Sequence, residues 1–169
     1  MIQYTTVIND DHFNRNNCDQ LENIMKVSTV IYFDKNFEMD AEQKDLFLNY
    51  EFKSLIHLDL SNQDIDDDFV KKLCDGDNLR KIKNINFSNT SITKKTIKYL
   101  LRNDNVCCEG DMRISGKYGR PIVEIDINVS GTNITKKDID YYSEPKFDHM
   151  FRTYQFGTVN AVKELNISY

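Results

Sequence analysis

Ile31, Leu58 and Ile85 stand 27 residues apart, and the residues around them repeat. Leu55, Leu58 and Leu60 are copied by Ile82, Ile85 and Phe87, Ser61-Asn62 by Ser88-Asn89, and Ile65 by Ile92. Phe69-Val70 with Leu73 returns as Thr96-Ile97 with Leu100. A further copy holds Ile127, Val129, Ser130, Gly131, Thr132 and Ile134, with Ile139 and Tyr142 on its helix, and Val162, Leu165, Ile167 and Ser168 make a final half copy. In each unit the early apolar residues alternate as in a strand, and the later ones follow the three-and-four spacing of a helix face. One such unit cannot bury its own apolar side, so about five of them must stack and share a core.

Two spacings break the period. Ile85 to Ile127 is 42 residues, and the excess falls between Arg102 and Pro121. Met112–Ser115 and Ile122–Ile127 read there as two strands joined by Gly116–Gly119, a hairpin, although Met112 is itself 27 residues from Ile85 and reads equally as a degenerate repeat strand. Ile127 to Leu165 is 38 residues, and the excess in 143–161 holds Phe147, Met150, Phe151 and Tyr154 at helical spacing after Pro145. These predict an added amphipathic helix ending near Gly157. Ahead of the repeats, Ile2, Tyr4 and Ile8 predict a short strand or extended cap, Asp19 a helix carrying Leu21, Ile24 and Met25, Val27–Phe33 a buried strand, and Ala41–Tyr50 a helix. Residues 1–26 are thus expected as an N-terminal cap on a single domain running to 169.

Leu-x-x-Leu-Asp-Leu-Ser-Asn-Gln-x-Ile at Leu55–Ile65 and Ile-x-x-Ile-Asn-Phe-Ser-Asn-Thr-x-Ile at Ile82–Ile92 resemble leucine-rich repeats. The unit length, and a helix in each unit, resemble the ribonuclease-inhibitor-like class. The resemblance covers Val27 to Tyr169 and implies an α/β fold, a short leucine-rich-repeat solenoid with parallel strands on a concave face and helices on the convex face. That family often carries Asn or Cys at the ninth position, where this chain has Asn36, Gln63, Thr90 and Thr132. Threonine can make a similar bond.

On such strands the residues alternating with the core positions point outward. They are His57, Asp59 and Ser61; Asn84, Asn86 and Ser88; Asp126, Asn128 and Ser130; and Glu164, Asn166 and Ser168, with Tyr32 and Asp34 from the first unit. This set is polar and mildly acidic. It is expected to bind a partner protein with a basic surface, while the recurrence of Asp59, Asn86 and Asn128 also fits simple duplication of a solvated sheet position. Thr93-Lys94-Lys95-Thr96 and Thr135-Lys136-Lys137-Asp138 recur too: each first threonine is a candidate helix N-cap, Asp138 sits where a capping box has its acceptor, and the lysine pairs predict a small basic rim. The Asp66-Asp67-Asp68 run reads as charge at a helix N-terminus.

Enzymatic signatures are missing from the sequence. His12, His57 and His149 form no metal-binding spacing, Gly116–Gly119 lacks the lysine and hydroxyl of a phosphate loop, and no nucleophile elbow occurs. A non-enzymatic interaction module with no cofactor and no metal is therefore expected. The alternative is an enzyme or substrate-recognition subunit using Cys107 or Cys108 of the 102–121 insertion, with His149. A net charge of -5 argues against nucleic-acid binding, and no apolar run reaches the ~20 residues of a membrane helix. Without a basic n-region, a myristoylation glycine or a CaaX cysteine, and with Cys18, Cys74, Cys107 and Cys108 in no disulfide-like pattern, the expectation is a cytoplasmic protein, with delivery into a host cell left open. A strand ending near Tyr169 predicts either self-association through a C-terminal edge or a longer repeat array of which these residues are a part.

Overall fold

In the computed structural model, residues 3–13, 18–103, 106, 113–114, 121–138, 153–156 and 159–168 are described. The fold is α/β. Six strands lie parallel and pair in chain order: β1 (Thr5–Ile8), β2 (Val30–Phe33), β3 (His57–Asp59), β4 (Asn84–Asn86), β6 (Pro121–Asn128) and β8 (Val159–Ser168). Two further strands run antiparallel, β5 (Arg113–Ile114) on β6 and β7 (Thr153–Phe156) on β8.

The 27-residue arithmetic is the register of this sheet. Ile31 pairs with Leu58, Leu58 with Ile85, and Ile85 with Ile127 across the longer interval. These side chains point to one side of the sheet. There they meet α1 (Cys18–Val27), α2 (Ala41–Asn49), α3 (Asp67–Asp75) and α4 (Lys94–Arg102), and one continuous core runs from Ile8 to Ile134. α2, α3 and α4 form where expected, whereas α1 starts at Cys18, so Asp19 lies inside it rather than at its cap. Asp40 and Gln43 close a capping box on α2, Asp66 caps α3 through the Phe69 N–H, and Thr93 caps α4. Their inner faces bury Phe47 on α2, Phe69, Val70 and Leu73 on α3, and Ile97 and Leu100 on α4, each burial contributing about 1.5–3 kcal/mol. The first half of the core is aromatic: Phe33, Phe37, Phe47, Phe52 and Phe69 form a chain of ring contacts with centroids 5.0–6.3 Å apart.

β3, β4 and β6 end by the same device. Asp59, Asn86 and Asn128 turn their Oδ1 back to accept from the N–H two residues on, that of Ser61, Ser88 and Ser130, at 2.9–3.0 Å. The residue after each serine adopts a left-handed backbone: Asn62 (φ 60°), Asn89 (φ 57°) and Gly131 (φ 69°). Asn tolerates that region better than other side chains do. The Asn89 amide donates to the Asn62 Oδ1 at 3.0 Å, linking adjacent turns. Gly131 has no such side chain, and a methyl group there would collide with the Asn89 Oδ1. The ninth-position residues differ among themselves. Buried Gln63 reaches across to the preceding unit, donating to the Phe37 carbonyl (2.8 Å) and accepting from the Met39 N–H (3.0 Å). Thr90 and Thr132 donate to the carbonyls of Phe87 and Val129 in their own turns.

Several expectations are corrected. β1, expected as a short strand or extended cap, is a strand of the same parallel sheet: Thr6 pairs with Ile31, and its buried hydroxyl bonds to the Ser28 hydroxyl (2.6 Å). The second strand starts at Val30, because α1 runs on through Val27 and the Ser28 hydroxyl and N–H both donate to the Ile24 carbonyl. Of the three apolar residues expected on one face of α1, Leu21 and Met25 are buried, while Ile24 stays exposed. Residues 153–156, expected within a helix, form β7, where Tyr154 pairs with Ala161; Phe147, Met150 and Phe151 lie outside the described residues. The last unit aligns two residues later than its spacing suggests, with Ile167 rather than Leu165 opposite Ile127. The hairpin reading of the 102–121 insertion holds for its strands, since Arg113 pairs antiparallel with Ile122 and β4 passes directly to β6. Its connecting residues, 115–120, lie outside the described residues, as do Ile139 and Tyr142. β8 is not the last strand of the sheet, because β7 flanks it over Val159–Val162.

Candidate functional site

A parallel sheet covered by helices on one side leaves its other side to be accounted for. Here the outward positions form two rows. His57, Asn84, Asp126 and Asn166 stand in one, in direct register. Asn86 and Asn128 stand in the next with Asp59 before them and Ser168 after. The sheet thus brings together seven of the eight predicted site residues: His57, Asp59, Asn84, Asn86, Asp126, Asn128 and Asn166. The two-residue shift of the last strand preserves the alternation, so Asn166 keeps its face but moves beside Asp126. Glu164, the eighth, pairs with Glu124 one step further out, a residue not singled out from the sequence. The available signal for Glu124 was its place two residues before Asp126.

The polar side chains of the two rows bond to one another across strands. The Asn84 amide donates to Asp126 Oδ2 (3.0 Å), and the Asn86 amide to Asp59 Oδ2 (3.1 Å). Asp59, Asn86 and Asn128 are also the strand-ending acceptors described above, so they serve the fold as well as the face. The β1–β2 end is different in kind. Val7 pairs with Tyr32, the two side chains are 51% and 37% exposed, and the Tyr32 ring lies 5.3 Å from that of His57. Val7 is a second residue missed, because the first strand was not recognised as part of the repeat.

The other predicted features separate from this face. Thr93 and Thr135 both sit at helix starts. The Thr135 N–H and hydroxyl donate to Asp138 Oδ2 at 3.1 and 2.7 Å, and Lys94 reaches Asp138 Oδ1 at 3.5 Å. One lysine of the basic rim is therefore already engaged by a carboxylate. The three consecutive aspartates have three different surroundings. Asp66 caps its own helix, Asp68 is exposed, and Asp67 accepts from the N–H and hydroxyl of both Thr93 and Thr96 on the neighbouring unit. Burial raises the Asp67 pKa, but these hydrogen bonds outweigh it and hold the carboxyl below its ordinary value. The Thr135 hydrogen bonds and the nearby Lys94 lower that of Asp138 in the same sense.

Among the described residues, no three His, Cys, Asp or Glu side chains gather as metal ligands. Cys74 is a buried thiol on the inner face of α3. Cys107, Cys108 and His149 lie outside the described residues, as does the Cys18 side chain. An open depression lined by Asp11, His12, Gln20, Leu21 and Ile24 lies near α1, where the His12 Nδ1 is 2.6 Å from the Asn9 side-chain oxygen. No described helix is long and apolar enough to cross a membrane. Neither any protein-family model nor any curated protein matches the chain.

Proposed function

We propose that the chain is a non-enzymatic protein-interaction module, a short leucine-rich-repeat solenoid that engages a partner protein through the outward face of its strands. The observation that carries this reading is the contrast between the two sides of the sheet. The side bearing Leu58, Ile85 and Ile127 is packed by the chain's own helices, while the opposite side carries half-exposed polar groups in continuous rows and no covering element among the described residues. In-order parallel pairing at the 27-residue interval supports the solenoid, as does the recurring left-handed turn at Asn62, Asn89 and Gly131. A parallel sheet is ordinarily covered on both faces. A face left open with rigid, hydrogen-bonded polar groups is suited to recognising another surface.

The test is affinity capture of a partner on the wild-type chain, followed by its binding isotherm against the double variant His57→Ala/Asn84→Ala. Neither residue closes a strand-ending turn, so the thermal midpoint should move little. Affinity should fall by about tenfold, as for loss of contacts worth ~1.4 kcal/mol. Unchanged affinity in a folded variant would remove the strand face from the proposal.

A further inference from the structure

The exposed apolar surface of this chain is gathered at one end. Among the described residues, the large hydrophobic side chains left exposed are Tyr4, Val7, Ile24, Val27 and Tyr32, all in the first unit or on the strand beside it. β1 also ends the sheet, and β2 is its one partner among the described strands. The Tyr4 and Ile8 carbonyls accept from the N–H groups of Val30 and Asp34, on the β2 side. Backbone groups alternate along a strand, so those of Thr5 and Val7 point the other way, off the edge of the sheet. Natural edges are ordinarily blunted by a charge, a proline or a bulge. Tyr4-Thr5-Thr6-Val7-Ile8 has neither charge nor proline, and Thr5–Ile8 pairs with β2 in unbroken register. The helix layer is open on the same side. α1 joins β1 to β2, and its Lys26 reaches toward the second unit, 3.9 Å from Glu51. Ile24 is two residues, about 200° of helix, from Lys26 and so lies on the opposite flank, with Val27 its neighbour one turn on.

We propose that the chain pairs with a second copy of itself through β1, about a two-fold axis normal to the sheet at Thr6, with α1 set against α1 of the copy. In this register Thr5 and Val7 exchange backbone hydrogen bonds with Val7 and Thr5 of the copy, so every edge-facing N–H and C=O of the two residues gains a partner. An axis at Thr5 or at Val7 pairs only one of them within the strand. A lone peptide strand laid along β1 leaves Ile24 and Val27 uncovered, whereas a second strand-and-helix layer covers edge and flank together. Charge selects the two-fold arrangement. Asp10 and Asp11 lie just beyond β1, and a copy added parallel sets these acids side by side, while the two-fold makes the pair antiparallel and holds them at opposite ends. Stable interfaces bury roughly 1,000 Å² or more, so this one depends on the α1 flank as much as on a four-residue strand. The pairing uses the edge of the sheet and leaves the outward rows from His57 onward uncovered, so it stands apart from the binding-face reading.

Sedimentation equilibrium of the full chain, from micromolar to millimolar concentration, tests this and should show a monomer–dimer equilibrium. Val7→Lys and Ile24→Glu, both at exposed positions, should each raise the dissociation constant about tenfold or more while leaving the far-UV circular dichroism unchanged. Hydrogen exchange followed by NMR should slow at the Thr5 and Val7 amides as concentration rises. That measurement uses the unaltered chain and stands whether or not either variant folds. A chain that stays monomeric at millimolar concentration overturns the inference, as does association running past the dimer, the mark of an open array. A dimer insensitive to both variants overturns it too, because another surface then makes the contact. So does a dimer lost in Ile24→Glu but without protection of Thr5 and Val7, which is helix packing without the strand pair.

Discussion

The carboxylate of Asp67, in the first turn of α3, is the shared acceptor for Thr93 at the start of the next helix. The Thr93 hydroxyl donates at 2.6 Å and its N–H at 2.9 Å, and Thr96 adds a hydroxyl at 2.7 Å and an N–H at 3.2 Å. One side chain thus accepts from four donors at the N-terminus of a helix in a different unit, sharing only the Thr96 N–H with the Thr93 carbonyl.

Replacing Asp67 by Ala should therefore cost more than removing an ordinary cap. Hydrogen bonds to a charged group contribute roughly 1.5–3 kcal/mol, and the buried Thr96 hydroxyl would lose its acceptor. Urea unfolding should show Asp67→Ala destabilised by about 2–3 kcal/mol and Asp66→Ala by about 1 kcal/mol, the usual cost of losing a cap. Equal losses for the two would mean that the bridge between units adds nothing beyond capping.

The same carboxylate predicts an acid-sensitive stability. Its folded pKa lies below the unfolded value of about 3.9, so the unfolded chain binds the proton more readily. Its contribution is fully present above the unfolded value and is lost as pH falls through the folded one. Unfolding free energies measured from pH 6 downwards should decline below about pH 4, and Asp67→Asn should decline less steeply over that range. Parallel curves for the two proteins would assign the acid loss to other carboxylates.

Gly131 should resist substitution for two separable reasons. Its φ of 69° disfavours any residue with a Cβ, at roughly 1–2 kcal/mol, and the Asn89 side chain occupies the space a methyl would need. Gly131→Ala should destabilise by at least that amount. Asn89→Ala has a cost of its own, at φ 57° and with the Asn62 bond lost, so the steric part should appear as a favourable coupling between the two changes. A double-mutant cycle showing strict additivity would rule out the contact.

Gln63 joins two units through buried groups, and Gln63→Ala would leave the Phe37 carbonyl and the Met39 N–H without their partner. A loss of about 1–3 kcal/mol is expected. Hydrogen exchange should accelerate at Met39 in particular, with the α4 amides changed only by the global loss. Uniform acceleration across the chain would argue against a local role.

Much of the sheet was legible because its core positions are filled by residues whose pattern survives duplication. Ile31, Leu58, Ile85 and Ile127 are all large and apolar, and their spacing was their register. The first strand was expected but not as a member of the repeat, because the equivalent position is Thr6, a polar residue made tolerable by a buried bond to Ser28 that no local pattern announces. Residues 153–156 were misread because Phe147, Phe151 and Tyr154 match a helical spacing, while a strand–Gly157–strand reading, the hairpin signal of two β-rich runs around a short polar break, accounts for Thr153–Phe156 better. At the candidate site, alternation along the strands identified the outward residues. What it could not supply was which of them are engaged in the fold: the bonds of Asp59, Asn86 and Asn128 depend on turns and neighbouring strands. Asp67 is the extreme case. Its neighbours in sequence make it one of three equal charges, and only the packing of α3 beside α4 distinguishes it.

The step from β4 to β6 keeps the pairing of Ile85 with Ile127 although 42 residues separate them rather than 27. Register and chain length are therefore decoupled at this point. Since the entropy of closing an added loop grows by only about 0.6 kcal/mol for each doubling of its length, the interval between α4 and β6 can change length cheaply so long as buried Val106 and the pairing of Arg113 with Ile122 are kept. Variation among descendants of such a chain would accumulate there, as would a successful graft of a foreign loop, without displacing a single row of the sheet.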